Sequence, residues 1–249
     1  MNPVVAEFIG TMLLVLFGNG VVANVVLART KGNSGGWIVI STGWALAVFI
    51  GVFVSQASSG AHLNPAVTLA MAQAGKFAWS KAAGYVLAQL LGGIAGGGLV
   101  FLYYREHFKL TADGAAKLAC FCTAPNVRNI QQAFLCEVIG TFSLVFPIFL
   151  MNDATLKLPE AAGVTREAVI GLGTLGALPV ALLVFAIGLS LGGTTGYAIN
   201  PARDLGPRIA HALLPVPGKR DSDWGYAWVP VVGPLVGAAL AACAQSLLR

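Results

Sequence analysis

The sequence predicts an all-α membrane protein in which six transmembrane helices and two re-entrant half-helices form an inverted repeat. Three observations carry that prediction. Of the 249 residues, 57% are hydrophobic and 10% charged, whereas a soluble domain averages about a quarter charged residues. Six apolar stretches are each long enough to cross a hydrocarbon core about 30 Å thick, which takes about 20 helical residues. Finally, two short segments carrying Asn-Pro-Ala, and a glutamate upstream of each, recur in the two halves of the chain.

The six stretches run from Pro3 to Ala28, Gly36 to Gln56, Lys81 to Tyr104, Ile130 to Met151, Ala168 to Gly192 and Ala227 to Leu248. No polar linker between them is long enough to bury a core of its own, so residues 1–249 are expected to form a single domain. The first stretch is too long for a signal-peptide core and lacks a basic leader, so it is expected to be retained as a helix. The net charge of +5 is scattered over loops. Without a basic patch there is no case for nucleic acid, and anionic lipid is the expected contact. Cys120, Cys122, Cys136 and Cys243 lack the paired spacing of a metal array, and neither metal nor cofactor is expected.

The repeat covers approximately residues 1–110 and 129–249. Glu7-Phe8-Ile9-Gly10-Thr11 in the first span matches Glu137-Val138-Ile139-Gly140-Thr141 in the fourth, at an offset of 130 residues. Asn64-Pro65-Ala66 matches Asn200-Pro201-Ala202 at an offset of 136. With an odd number of spans per half, the second half enters the membrane upside down relative to the first. The two short segments then meet near the midplane.

Each short segment starts as a helix starts, with Asn at the cap, Pro at the first helical position and apolar residues behind. At about 1.5 Å per residue, ten residues reach only halfway across a bilayer, so these are half-helices. Before each lies an irregular stretch containing Gly60 or Gly196. Its backbone groups cannot face lipid unpaired and must line a wet path or be buried in protein.

Two helix amino ends meeting at mid-membrane place two positive dipole ends there, each worth about half a charge, which repels cations and protons. Asn64 and Asn200 can turn an amide N–H into the lumen, and the carbonyls of Gly60, Ala61 and His62 and of Gly196, Tyr197 and Ala198 can form a ladder of acceptors. A polyol needs both partners, and an apolar opposite wall suits its carbon face. Glu7 and Glu137 are ionisable groups inside spans, which are costly unless used. Their matched positions predict that each carboxylate holds backbone N–H groups of a re-entrant loop. Arg203 sits in the first turn of the second half-helix, where a cation opposes the dipole; its fork of donors is suited to gripping solute oxygens and adding a cation barrier. Asp204 is favourably placed in that same turn. His62 reads equally well as a pore-lining or a structural histidine.

Paired Asn-Pro-Ala motifs with matching glutamates resemble the aquaporin, or major intrinsic protein, family over nearly the whole chain. Asp204 after Arg203, together with Gly60-Ala61-His62-Leu63, resembles its glycerol-conducting branch. The resemblance implies a passive channel for glycerol, small polyols and water that excludes ions and protons. It also implies a homotetramer in the cell membrane with both termini cytoplasmic. In that branch the constriction maps onto Trp44, Gly188, Tyr197 and Arg203. Gly188 stands where water-selective members resemble one another in a His, and Tyr197 stands where glycerol facilitators typically have Phe. Charge points the other way on orientation. Inner loops would carry Lys76, Lys81, Lys157, Arg166 and Arg249, against Arg29, Lys31, Arg105, Lys109, Lys117, Arg128, Lys219 and Arg220 outside. Three rivals remain open: a water-preferring channel, an ion-coupled transporter with broken helices, and a membrane-embedded enzyme using Glu7, Glu137, His62 and Asp204.

Overall fold

The computed structural model describes residues 1–152, 154–161 and 164–248; Arg249, counted above among the inner charges, lies outside them. In chain order its helices are α1 (Pro3–Val26), α2 (Trp37–Ser59), α3 (Pro65–Gln73), α4 (Trp79–Tyr103), α5 (Arg105–Leu110), α6 (Gly114–Ala119) and α7 (Ile130–Leu150). Strands β1 (Thr155–Ala161) and β2 (Val164–Val169) follow, then a 3₁₀ turn (Gly173–Ala177), α8 (Leu178–Ser190), α9 (Pro201–Leu213) and α10 (Val229–Ser246). Among the described residues six helices are long and apolar enough to cross a membrane, the fifth being the 3₁₀ turn continued by α8.

The fifth span starts later than the sequence predicts. Residues 168 and 169, read above as its opening, belong instead to β2, which pairs antiparallel with β1, Thr155 opposite Val169. Gly173 then takes a left-handed φ of 55°, a conformation that breaks a helix. The helix proper begins at Leu178, with Pro179 in its first turn, where a missing N–H costs nothing.

Between apolar helices in lipid there is no hydrophobic drive to associate, so close backbone approach has to supply the attraction. In the first half α1 packs on α4, and in the second α7 packs on α10. At the first contact a Cβ on Gly92 would stand 2.5 Å from the carbonyl oxygen of Phe8; at the second, a Cβ on Gly237 would stand 2.3 Å from that of Val138. Phe8 and Val138 are equivalent in the repeat, so the same glycine contact is built twice. The halves also interlock, since half-helix α3 lies on α10 and half-helix α9 on α4. The carboxyl end of α9 is closed by Lys219, whose Nζ donates to the carbonyls of His211, Ala212 and Leu214 at 2.6, 2.8 and 2.8 Å, the favourable place for a cation on a helix.

Candidate functional site: a passage between two half-helices

The loop before each half-helix follows one backbone path. Gly60, Ala61 and Leu63 have φ of 80°, 53° and 51°, and Gly196, Tyr197 and Ile199 have 84°, 38° and 44°. Left-handed backbone at Ala, Leu, Tyr and Ile is strained by about 1–3 kcal/mol per residue and persists only where the surroundings impose it.

The two buried glutamates impose it. Glu7 Oε1 accepts from the Ser59 hydroxyl at 2.6 Å and the His62 N–H at 3.0 Å, while Oε2 accepts from the Leu63 N–H and Gln89 Nε2, both at 2.7 Å. Glu137 Oε1 accepts from the Thr195 hydroxyl at 2.7 Å and the Ala198 N–H at 3.0 Å, and Oε2 from the Ile199 N–H at 2.8 Å. Both carboxylates are fully buried, and each clamps two consecutive N–H groups whose direction the strained backbone sets. Ser59, Thr195 and Gln89 escaped the sequence reading. The first two carried a usable signal, because they stand at the same offset of 136 residues as the Asn-Pro-Ala triplets.

Where the two half-helices meet, their caps are tied crosswise. Asn64 Oδ1 accepts from the Ala66 N–H and Asn200 Oδ1 from those of Ala202 and Arg203. Asn64 Nδ2 donates to the Ile199 carbonyl and Asn200 Nδ2 to the Leu63 carbonyl, both at 2.8 Å. An amide nitrogen carries two hydrogens, so one on each Asn fastens the opposite half and one is left for the lumen. The ladder ends at Leu63 and Ile199 in the same way. Among the described residues, none of the six carbonyls of Gly60, Ala61, His62, Gly196, Tyr197 and Ala198 accepts a hydrogen bond from the protein.

Beside these groups lies a cavity of about 540 Å³ that reaches Asn64, Asn200, Trp44, Tyr197 and Arg203, with Val48, Val52 and Leu144 on its apolar side. A second, of about 180 Å³, opens on the other side of Trp44, Tyr197 and Arg203. Those three residues border both cavities and so form the neck between them. The Arg203 guanidinium lies 4.0 Å from the Trp44 ring centroid, which fixes the fork by cation–π attraction and stacking. Gly188 borders neither cavity. The room left by its missing side chain is taken by Tyr197, whose hydroxyl is 3.0 Å from where a Cβ would stand. Tyr197 therefore sends its hydroxyl into the wall and only its ring toward the neck.

Asp204 does not pair with Arg203. It accepts from the Thr123 N–H at 2.7 Å and hydroxyl at 2.6 Å, and from Arg208 Nε at 2.9 Å. Arg208, fully buried, donates onward to the carbonyls of Ser222, Asp223 and Thr123. Sequence reasoning passed over Arg208, although its place one turn after Asp204 was a signal. His62 Nδ1 is 3.1 Å from the Thr68 hydroxyl, and its ring packs against Phe77 and Tyr85 while still bordering the larger cavity. It is both braced and pore-facing.

Residues 1–245 match the family described as Major intrinsic protein. The chain is 52% identical over 242 residues to a probable glycerol uptake facilitator protein of Thermotoga maritima, covering 97% of each chain. It is 48% identical over 247 residues to a glycerol uptake facilitator protein of Streptococcus pneumoniae, covering 99% of each. Among solved structures it is similar to an aquaglyceroporin from Plasmodium falciparum, with a TM-score of 0.80, 33% identity, and coverage of 97% of this chain and 93% of that one.

Proposed function

The chain belongs to the major intrinsic protein family, a multi-pass membrane protein of the plasma membrane, and on that premise we propose that it is a passive channel for glycerol and other small uncharged solutes, water included. One observation carries the proposal. Six backbone carbonyls that accept from no protein group among the described residues stand in two runs beside the remaining amide hydrogens of Asn64 and Asn200. In a membrane such carbonyls need something to bond, and a file of hydroxyls or waters supplies it.

A solute hydroxyl donates to a carbonyl and accepts from Asn64, Asn200 or Arg203, while its carbon backbone slides along Trp44, Tyr197 and the aliphatic wall. An oxygen held by both amides has its lone pairs engaged and cannot relay a proton. The helix ends and Arg203 repel cations. Gly188, in place of a larger residue, lets Tyr197 recline and keeps the neck wide enough for a polyol.

The channel reading is further supported by the carboxylates, since Glu7, Glu137 and Asp204 are each saturated by donors that hold backbone in place. None of them is presented to a substrate as acid or base. On the family resemblance, the proposal includes a homotetramer with one passage per subunit and both termini cytoplasmic.

Light scattering from proteoliposomes in a glycerol gradient tests this. We expect glycerol entry well above protein-free vesicles, unchanged by an imposed proton or sodium gradient. Glycerol permeability no higher than that of lipid would leave a water channel; flux that follows an ion gradient would make the protein a coupled carrier.

A further inference from the structure

The Tyr197 ring is backed by residues beside the neck, of which Trp37 and Gly192 also border the smaller cavity. Trp37 stands edge-on to it, with centroids 5.9 Å apart and planes at 76°, and its indole N–H donates to the Gly188 carbonyl at 2.8 Å. A Cβ at Gly192 would come within 2.5 Å of Tyr197 Cδ1, so the ring fills that space as it fills the space over Gly188. Ser41, one helical turn after Trp37, closes the recess, its Cβ being 3.3 Å from the point where a Gly188 Cβ would stand.

The recess holds two hydroxyls, those of Ser41 and Tyr197. Both are shut off from solvent, and they converge on the space over Gly188, where the Tyr197 hydroxyl and the Ser41 Cβ lie 3.0 and 3.3 Å from one point. Neither completes a hydrogen bond of good geometry with any group among the described residues. Two unpaired hydroxyls buried in a protein wall are unfavourable. Each is the nearest remedy for the other, because a serine hydroxyl swings between staggered positions at little cost.

We propose that Ser41 is a specificity-determining positioning residue: its hydroxyl tethers that of Tyr197 over Gly188, fixing the tilt of the ring and with it the width of polyol the neck passes. The inference rests on reading Trp44, Tyr197 and Arg203 as the selecting neck. It assigns the tyrosine hydroxyl to the wall, where it holds the ring in place, and leaves solute binding to the other neck groups.

The test measures proteoliposome permeability to glycerol and to the four-carbon polyol erythritol for the parent, Ser41→Ala, Tyr197→Phe and the double variant. Loss of the tether frees the ring, so each single variant should raise the erythritol-to-glycerol ratio about threefold, the size expected from one net hydrogen bond. The double variant should do no more than either single, because both substitutions remove the same link. A merely structural Ser41 would lower both permeabilities together and leave the ratio unmoved. Ratios that stay at the parent value, or that multiply to about ninefold in the double variant, would overturn the tether while leaving the channel reading intact. A parent without glycerol flux overturns both.

Discussion

The two half-helices share a backbone and differ in what they carry. Around Asn64 and Asn200 the same left-handed residues, carboxylate clamp and crossed amide recur. Past the caps the likeness stops. The first half-helix continues with Val67, Thr68 and Ala72, and the second, at the equivalent places, with Arg203, Asp204 and Arg208. Symmetry therefore supplies what any hydroxyl solute needs, namely matched acceptors and donors along the passage. Asymmetry would supply selection, because Arg203 and Tyr197 of the second repeat, which meet Trp44 of the first at the neck, stand where the first repeat has Val67 and Ala61. A duplicated chain can so keep the conduit constant while one copy is altered to choose what passes.

If the shared clamp matters most, breaking it should have the largest effect. Glu137→Ala leaves the Thr195 hydroxyl and two N–H groups buried without a partner, at about 1–3 kcal/mol each. We expect loss of several kcal/mol in stability, read as a large fall in thermal midpoint in detergent, together with loss of glycerol flux. Glu7→Ala should behave alike, and a mild phenotype for either would mean that the loops hold their strained path unaided.

Next in size, Asp204→Ala strands the buried Arg208 cation, which typically costs about 3–5 kcal/mol. Arg208 reaches Thr123, Ser222 and Asp223, so the same variant should expose those connecting loops to proteolysis while the first half stays protected. Uniform protection would deny that this network holds those loops.

Arg203→Val installs the residue of the first half-helix and removes the cation from the neck. Proton and cation conductance of planar bilayers or vesicles should rise about tenfold or more, equivalent to at least about 1.4 kcal/mol of barrier, with glycerol flux retained. Gly188→His displaces the Tyr197 ring into the neck, and glycerol flux should fall relative to water.

The smallest effect is expected outside the membrane. The Arg128 guanidinium, paired with Asp223 at 2.5 and 2.7 Å, holds the Asp223 carboxyl below the usual aspartate range. The contribution of such a pair is present above about pH 4 and is lost as pH falls through the lowered value. Arg128 is half exposed, which limits the pair to under about 1 kcal/mol. Thermal midpoints of the parent and Asp223→Asn should differ slightly at neutral pH and converge in acid.

The spans and half-helices were legible because membrane crossing demands long apolar runs and because Asn-Pro at a helix start has one local meaning. The 130-residue offset of the glutamates and the 136-residue offset of the caps made the pairing visible without coordinates. The β1–β2 hairpin was not legible, since two short segments of mixed polar and apolar residues, the second running into an apolar span, show no periodicity that separates strand from helix. Arg208 and Gln89 were missed for another reason: besides Asp204 one turn before it, Arg208 is held by Thr123, 85 residues away, and Gln89 binds Glu7, 82 residues away. The Tyr197 hydroxyl could be named from sequence, but its aim into the recess over Gly188 depends on how α2 and α8 face each other.

A high-resolution cryo-electron microscopy map of the protein in lipid nanodiscs with glycerol would test the passage most directly. We expect a single file of water or glycerol oxygens within hydrogen-bonding distance of the carbonyls from Gly60 to His62 and from Gly196 to Ala198, passing Asn64 and Asn200. A dry gap at those carbonyls, with protein or lipid packed against them, would contradict a conducting path between the half-helices.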